Sequence, residues 1–443
     1  MDTPICDFVR DYAAGHALRL HMPGHKGNSF LGIEHLDITE IEGADSLYEA
    51  DGIIRQSEAN AGSLFGCQTF YSTEGSSQCI RAMLYLAVLQ AKRQGRKPLI
   101  AAARNVHKTF LSAAALLDLD VIWLYPEHGG TYLSCDVSPE SLDRTLCGAA
   151  EKPVAVYLTS PDYLGNLADI AGMAEVCHRH GSLLLVDNAH GAYLRFLEPS
   201  RHPIDLGADL CCDSAHKTLP VLTGGAYLHL APSVRGEIRA QAKNALALFG
   251  STSPSYLILQ SLDRANVYLE HYGELLQEFL PMAAALKQDL EQGGYRLYGG
   301  EPLKITIDAK ACGYTGTELA RALAAHDIVS EFADPDYLVL MITPEIGEEG
   351  LSRLREVLLA LPGKEALPPC PLGFRAGERV LTIREAMLSP GIHLPVEESE
   401  GRILAAPSVG CPPAVPILIC GERIDKHAID CFRYYGIERV MVI

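Results

Sequence analysis

Two polar clusters that follow apolar runs carry side chains able to do covalent chemistry. Lys217 lies beside His216 in a Ser- and Thr-rich turn, CCDSAHKTLPVLTGG (211–225). Asp187 ends the apolar run LLLVD, and His190 follows it three residues later. Taken alone, a lysine in such a turn is a solvated surface group, and Asp187 is an N-cap for the next turn. A ligand-binding role for either residue therefore needs further support.

Two more clusters offer a helix N-terminus and an imidazole. The segment STEGSSQ (72–78) opens an amphipathic helix, in which Gly75, Ser76 and Ser77 would present N–H groups and hydroxyls. The helix dipole favours a phosphate at that place, although the segment also suits an ordinary capped helix. His107 follows another apolar run, where a lone histidine is more often structural than functional.

Together the four clusters match the needs of pyridoxal phosphate (PLP). Its phosphate needs the helix N-terminus, its pyridine nitrogen needs a carboxylate, and its aldehyde needs a lysine for a Schiff base. An imidazole can stack on its ring. The chain order of phosphate loop, stacking group, aspartate and lysine resembles that of the aspartate-aminotransferase-like PLP fold.

The elements that must position these residues alternate along the first half of the chain. Short apolar runs predict buried strands at 98–103, 121–125, 154–159, 183–186 and 210–212. The segment 76–94 predicts a helix whose apolar face consists of Ile80, Met83, Leu84, Ala87, Val88 and Ala91. This alternation predicts a mostly parallel sheet with right-handed crossovers, and ligands gather at the carboxyl ends of such strands.

The second half of the sequence has a different pattern of predicted elements. A helical pattern covers 254–290, and strand candidates at 303–307 and 337–342 belong to a mixed α/β segment. The Pro- and Gly-rich stretch LPGKEALPPCPLGF (361–374) is typical of a linker.

Composition excludes some classes of protein. The 443 residues include 37 Lys+Arg and 55 Asp+Glu, a net charge of −18, which argues against nucleic acid or an anionic membrane as the main partner. No apolar stretch reaches the ~20 residues of a membrane span, and the start MDTPICDFVR lacks a signal-peptide core. Thirteen cysteines without zinc-site spacing predict reduced thiols in a cytoplasmic protein.

Further motifs identify a narrower family. HMPGHKG (21–27) closely resembles the signature of the bacterial ornithine/lysine/arginine decarboxylases. Similar stretches are TEIEGADSLYEADGII (39–54), RNVHKT (104–109), DNAHGAY (187–193), SAHKTLP (214–220), STSPSYLILQSLD (251–263), EESEGRI (397–403) and CPPAVPILICGERI (411–424). The resemblance covers most of the chain and is weakest between about 270 and 380.

The resemblance implies a role for each site residue. Lys217 would form the internal aldimine, Asp187 would pair with the pyridinium nitrogen, and His107 would stack on the ring. The expected cofactor-binding residues also include Gly75, Ser76, Ser77, His190, Ser214, His216 and Thr252. Thr252, in segment 251–256, would reach the phosphate site of a neighbouring subunit, because family sites lie at a homodimer interface.

The family implies an α/β fold of PLP fold type I, with a mostly parallel sheet in a large domain and smaller C-terminal α/β domains. We expect an N-terminal segment (1–50), a large PLP-binding domain (51–250), a small domain (251–365) and a decarboxylase C-terminal domain (366–443). The expected activity is decarboxylation of lysine, arginine or ornithine to CO₂ and the polyamine or diamine product.

Several alternatives stay open. The same site could catalyse another PLP reaction, such as transamination or β-elimination. It could also belong to a catalytically inert relative that acts as a regulator. The proton donor to Cα is Lys217 or His216. Among the acids available to read a cationic side chain, Asp162 is favoured because it ends a strand. His21 and His25 have the spacing of a helical metal pair, but Pro23-Gly24 breaks any helix, so no metal site is expected.

Two positions depart from the family pattern beside the expected cofactor site. Glu74 stands where short family members often carry Asn, and Asn188 stands where Glu is common. These differences bear on substrate choice more than on the chemistry, because Lys217 and Asp187 are both present.

Overall fold

A computed structural model describes residues 1–128, 130–407 and 413–443. Its strands are β1 (Gln68–Ser72), β2 (Leu99–Ala103), β3 (Asp120–Leu124), β4 (Ala155–Thr159), β5 (Leu183–Asp187), β6 (Leu210–Asp213), β7 (Ala226–Leu230), β8 (Leu297–Tyr298), β9 (Lys304–Asp308), β10 (Phe332–Ala333), β11 (Tyr337–Met341), β12 (Ile392–Pro395) and β13 (Arg439–Val442). Its α-helices are α1 (Pro4–Ala14), α2 (Ile53–Phe65), α3 (Gly75–Arg93), α4 (Lys108–Leu117), α5 (Pro139–Gly148), α6 (Ile170–Arg179), α7 (Ala215–Thr218), α8 (Gly236–Arg239), α9 (Ala242–Ala247), α10 (Tyr256–Leu269), α11 (Tyr272–Gln292), α12 (Gly316–Ala324), α13 (Gly347–Ala360), α14 (Ile383–Met387) and α15 (Lys426–Tyr434).

The chain divides into two compact units. The first unit comprises Met1–Lys97 and Ile170–Glu274, and the second comprises Pro98–Asp169 and Leu275–Ile443. In the first unit the strand order is β1-β7-β6-β5. Strands β5 and β6 are parallel, so their carboxyl ends lie at one edge, whereas β7 is antiparallel to both β6 and β1.

Helix α3 covers the sheet of the first unit. The six side chains of its predicted apolar face are all buried, and the helix packs on β5, β6 and β7. It begins at Gly75, whose φ of +71° is a left-handed value that a side chain would strain. The backbone N–H of Gly75 donates to the carbonyl of Gly224 at 2.7 Å, which fixes the start of the helix.

The second unit contains three parallel strands and two smaller sheets. Strand β2 pairs in parallel with both β3 and β4. A four-stranded antiparallel sheet has the order β10-β11-β9-β8. The antiparallel pair β12–β13 shares an apolar core with α15, in which Val396, Phe432 and Val440 are buried.

The predicted strands and helices of the sequence are confirmed to within a residue or two at their ends, including the helical segment that becomes α10 and α11. The HMPGHKG segment is a series of bends and turns, as Pro23-Gly24 predicts. The first two residues of CPPAVPILICGERI lie outside the described residues.

Among the described helices, none combines the length and the apolar character needed to cross a membrane. The four proposed domains, with boundaries at 50, 250 and 365, stay a prediction.

Candidate functional site

Lys217 follows the carboxyl end of β6 and lies on the short helix α7. Its Nζ is 2.9 Å from Nε2 of His190, which is 5% exposed. A protonated lysine can only donate, so Nε2 of the imidazole is the acceptor in that state. The side chain of Lys217 is partly exposed.

Asp187 ends β5 at the same edge of the sheet. It is opposite Cys212 of β6 in the strand register and is only 2% exposed. Its Oδ1 accepts from the backbone N–H of Ala189 at 3.2 Å and lies 3.6 Å from the Cys212 thiol, whose pKa burial raises strongly. The contact with Ala189, two residues later in the chain, is consistent with the alternative that Asp187 caps a turn.

The N-terminus of α3 brings together the residues predicted to hold a phosphate. The hydroxyl of Ser214 donates to that of Ser76 at 2.8 Å, so α3 and the turn after β6 meet here. Gly75, Ser76 and Ser77 are half-buried in the first turn, where backbone N–H groups lack helical acceptors. A Cβ on Gly75 would meet no atom within 4 Å, so the space over this turn is open.

His216 makes two contacts that hold its turn in place. Both its backbone N–H, at 3.2 Å, and its ring Nδ1, at 3.0 Å, contact the carbonyl of Gly225. These two contacts fix the turn that carries Lys217. A role of His216 in proton transfer stays a prediction.

Two predicted site residues are not brought into this group by the described contacts. Thr252 is exposed, although its neighbour Ser251 donates its N–H to the Glu74 carboxylate beside the start of α3. His107 belongs to the second unit, where its Nδ1 accepts from the backbone N–H of Thr109 and caps α4. Stacking by His107 and the intersubunit contact of Thr252 stay predictions.

A buried charge network lies directly behind this site and was missed from the sequence. Asp213, the last residue of β6, is fully buried, and its Oδ2 is 3.1 Å from Nε2 of both His202 and His229. Its Oδ1 accepts from the side-chain amide of Asn188 at 2.7 Å. Burial opposes the charged carboxylate, but the two imidazoles outweigh it and hold the pKa of Asp213 well below its usual range.

Asp213 and Asn188 connect the network to the candidate site, because they adjoin Ser214 and Asp187 in the chain. Burial lowers the pKa of His229, against the opposing influence of Asp213. The sequence pattern could have marked Asp213 as a candidate, because Asp213 lies at the end of a predicted strand in the same way as Asp187. Its histidine partners were not predictable, since they come from a loop and from an antiparallel strand.

Comparisons with known proteins agree with the geometry. The arginine decarboxylase of Bacillus subtilis strain 168 is 29% identical, over 97% of this chain and 92% of that protein. The constitutive lysine decarboxylase of E. coli has a TM-score of 0.79 at 17% identity, over 100% of this chain and 82% of that one. A structure of SPT with a PLP internal aldimine has a TM-score of 0.53 at 15% identity, over 69% of this chain and 75% of that one.

These structural likenesses show an α/β fold of PLP fold type I, as the resemblance of the motifs implied. A model for the major domain of Orn/Lys/Arg decarboxylases matches residues 3–305, more than half of the sequence, and the chain therefore belongs to the Orn/Lys/Arg decarboxylase family.

Proposed function

We propose that this protein removes the α-carboxylate of a basic amino acid by means of PLP held on Lys217. The observation that supports this most directly is the 2.9 Å contact between Lys217 and His190, at the strand edge where Asp187 also lies. The residue types fit the chemistry of the cofactor: a partly exposed lysine, a buried carboxylate, and serine hydroxyls at a helix N-terminus.

Each residue has a proposed task. The first turn of α3, with Gly75, Ser76 and Ser77, would bind the phosphate together with Ser214. Asp187 would hold a proton on the pyridine nitrogen, and His190 would orient the Lys217 amine and accept its proton. When bound, PLP supplies an electron sink for the pair released as CO₂ leaves. Lys217 or His216 would return a proton to Cα of the product.

We further propose that His107 stacks on the cofactor ring and that the protein acts as a homodimer whose neighbour contributes Thr252. A dimer is also supported by several exposed apolar side chains near the N-terminus, because burying such side chains stabilises an interface. These are Leu18, Leu20, Met22, Phe30 and Leu31.

Replacing the lysine tests the proposal. Lys217→Ala is expected to abolish the visible absorption of the bound cofactor and the release of labelled CO₂ from carboxyl-labelled lysine, arginine or ornithine, because it removes the amine proposed to form the Schiff base. Lys92→Ala is a matched control, since Lys92 is an exposed lysine in the last turn of α3.

Borohydride reduction followed by peptide mapping places the cofactor independently of activity. The label is expected on Lys217 alone. A coloured, active Lys217→Ala protein, or a label on another lysine, would contradict the proposal. Labelled substrates that yield other products without labelled CO₂ would point to a different PLP reaction.

A further inference from the structure

The buried residue Asn188 connects the two strand ends at the candidate site. Asn188 follows Asp187 at the end of β5 and is fully buried. Its backbone N–H donates to the carbonyl of Cys212 at 3.0 Å, and its side-chain amide donates to Oδ1 of Asp213 at 2.7 Å. Both acceptors belong to β6, whose end leads into the turn that carries Lys217. The main chain and the side chain of one residue therefore hold these two loops together.

The contacts of Asp213 determine which end of the Asn188 amide faces it. Oδ2 of Asp213 is 3.1 Å from Nε2 of both His202 and His229. Nδ1 of His202 accepts from the backbone N–H of Ile204 at 3.4 Å, so Nε2 carries the ring proton and donates to the carboxylate. An ionised carboxylate only accepts, so its Oδ1 takes the NH₂ group of Asn188 and not the carbonyl oxygen. The negative charge strengthens this hydrogen bond.

The other end of the Asn188 amide packs against Gly191. Oδ1 of Asn188 accepts no hydrogen bond from the described residues, and a Cβ on Gly191 would collide with it. The φ of Gly191 is −119°, a value that any residue adopts, so space rather than conformation requires glycine here. The backbone N–H of Gly191 donates to the carbonyl of Asn188 at 2.7 Å and closes a turn over 188–191. Asn188 thus contacts both ends of the turn that contains His190.

The same two loops meet again where the proposed chemistry takes place. Nε2 of His190, on the turn over 188–191, is 2.9 Å from Nζ of Lys217. Lys217 lies four residues after Asp213, and His190 lies two residues after Asn188. The buried hydrogen bond between Asn188 and Asp213 and the contact between His190 and Lys217 therefore join the same pair of loops. A change in the first contact changes the geometry of the second.

From these contacts we propose that Asn188 and Asp213 are positioning residues, whose hydrogen bond sets the places of Asp187 and His190 relative to Lys217. The inference rests on the proposed function, which assigns the last three residues to one cofactor site. Asn188 and Asp213 act only through their neighbours in the chain and have no contact with the cofactor or the substrate. Positioning matters because a small displacement of a reacting group costs a large part of the rate.

Removing the amide separates positioning from stability. Asn188→Ala deletes both ends of the amide and adds no charge. We expect it to weaken PLP binding to the apoprotein and to lower kcat, each about tenfold, and to reduce the visible circular dichroism of the bound cofactor. Asn266→Ala is the matched control, since Asn266 is also fully buried and donates its amide to Ser57 and Tyr71. It should lower the melting temperature and leave the other readouts within about twofold of wild type.

Exchanging the two side chains tests the hydrogen bond itself. Asn188→Asp alone sets two buried carboxylates against each other, and Asp213→Asn alone leaves one oxygen to serve the amide and both imidazoles. In the double variant, the new amide at 213 donates to the new carboxylate at 188, and its carbonyl still accepts from both imidazoles. We expect each single change to weaken PLP binding about tenfold, and the double variant to return to within about threefold of wild type.

Three results would overturn positioning by Asn188 and Asp213. The first is an Asn188→Ala protein that melts earlier but keeps the affinity and the circular dichroism of wild type. The second is an equal effect of Asn266→Ala on PLP binding, and the third is a double variant no better than the weaker single variant. Uptake of PLP and release of labelled CO₂ by the wild type test the proposed function separately, so any of these three results leaves the proposed decarboxylation standing.

Discussion

The contact between Lys217 and His190 places a proton acceptor beside the amine that would take the aldehyde in the proposed function. A lysine is a nucleophile only as the neutral amine, and an imidazole 2.9 Å away can accept its proton. His190 is buried, while Lys217 is partly exposed. The geometry therefore supports a reactive amine rather than a solvated surface lysine.

Asp187 is the second residue on which the proposed chemistry depends. Asp187→Asn keeps the shape of the side chain but removes the charge, which leaves a protonated ring nitrogen without its partner. Such a loss is worth about 3 kcal/mol, or roughly a 100-fold fall in CO₂ release. Borohydride labelling of Lys217 should persist in the variant, which separates lost chemistry from lost cofactor. Undiminished CO₂ release would contradict the role of Asp187.

Glu74 places a negative charge beside the proposed phosphate site. It is the N-cap residue of α3, is exposed, and is held by the N–H of Ser251. Two like charges about 4 Å apart in water repel by about 1 kcal/mol, so Glu74→Gln should tighten PLP binding about fivefold. Absorbance titration of the apoprotein measures this affinity.

The exposed Glu175→Gln in α6 provides the control for that measurement, because it removes the same charge elsewhere in the first unit. The gain from Glu74→Gln should shrink at high salt, which screens exposed charges. Equal or weaker affinity at low salt would show that Glu74 does not face the phosphate.

At the scale of elements, parallel strands explain why so much of the site could be predicted. An apolar run followed by a polar residue marks a strand end, and this local pattern identified Asp187 and the turn that carries Lys217. Pairing across the fold is not local. The contacts of Asp213 with His202 and His229, and of Ser214 with Ser76, depend on strand order and on the antiparallel β7, which no spacing in the sequence specifies.

The Asp213 network should make stability depend on pH. His229 has a lowered pKa in the folded protein, so below its ordinary value of 6.5 the unfolded chain binds more protons. The stability that neutral His229 contributes is therefore present above pH 6.5 and is lost as pH falls.

His229→Gln removes this titration and keeps a donor for Asp213. The wild type should be more stable than the variant at pH 7, and the difference in free energy of unfolding should shrink by at most about 2 kcal/mol at pH 5. Urea denaturation at both pH values measures it. A difference that grows on acidification would show that His229 is protonated in the folded protein.

At the scale of the whole molecule, local patterns predicted the fold class, while the two compact units were not evident from the sequence. Each unit joins two separate stretches of chain, because contacts rather than chain continuity define them. The proposed boundaries at 50, 250 and 365 follow changes in sequence pattern along the chain. A pattern of that kind cannot show that segments 72 residues apart, such as those ending at Lys97 and beginning at Ile170, share one core.

We expect two copies of the chain to associate through exposed apolar side chains near the N-terminus. Phe30 and Leu31 are 78% and 85% exposed, and burying one such side chain stabilises an interface by about 1.5–3 kcal/mol. We expect a dimer at micromolar concentration by analytical ultracentrifugation. The double change Phe30→Glu and Leu31→Glu should weaken it at least tenfold and lower CO₂ release in parallel, because the proposed sites need both subunits. Val329→Glu, at an 89% exposed position in the second unit, should leave the dimer intact. A wild-type monomer with full activity would contradict the shared site.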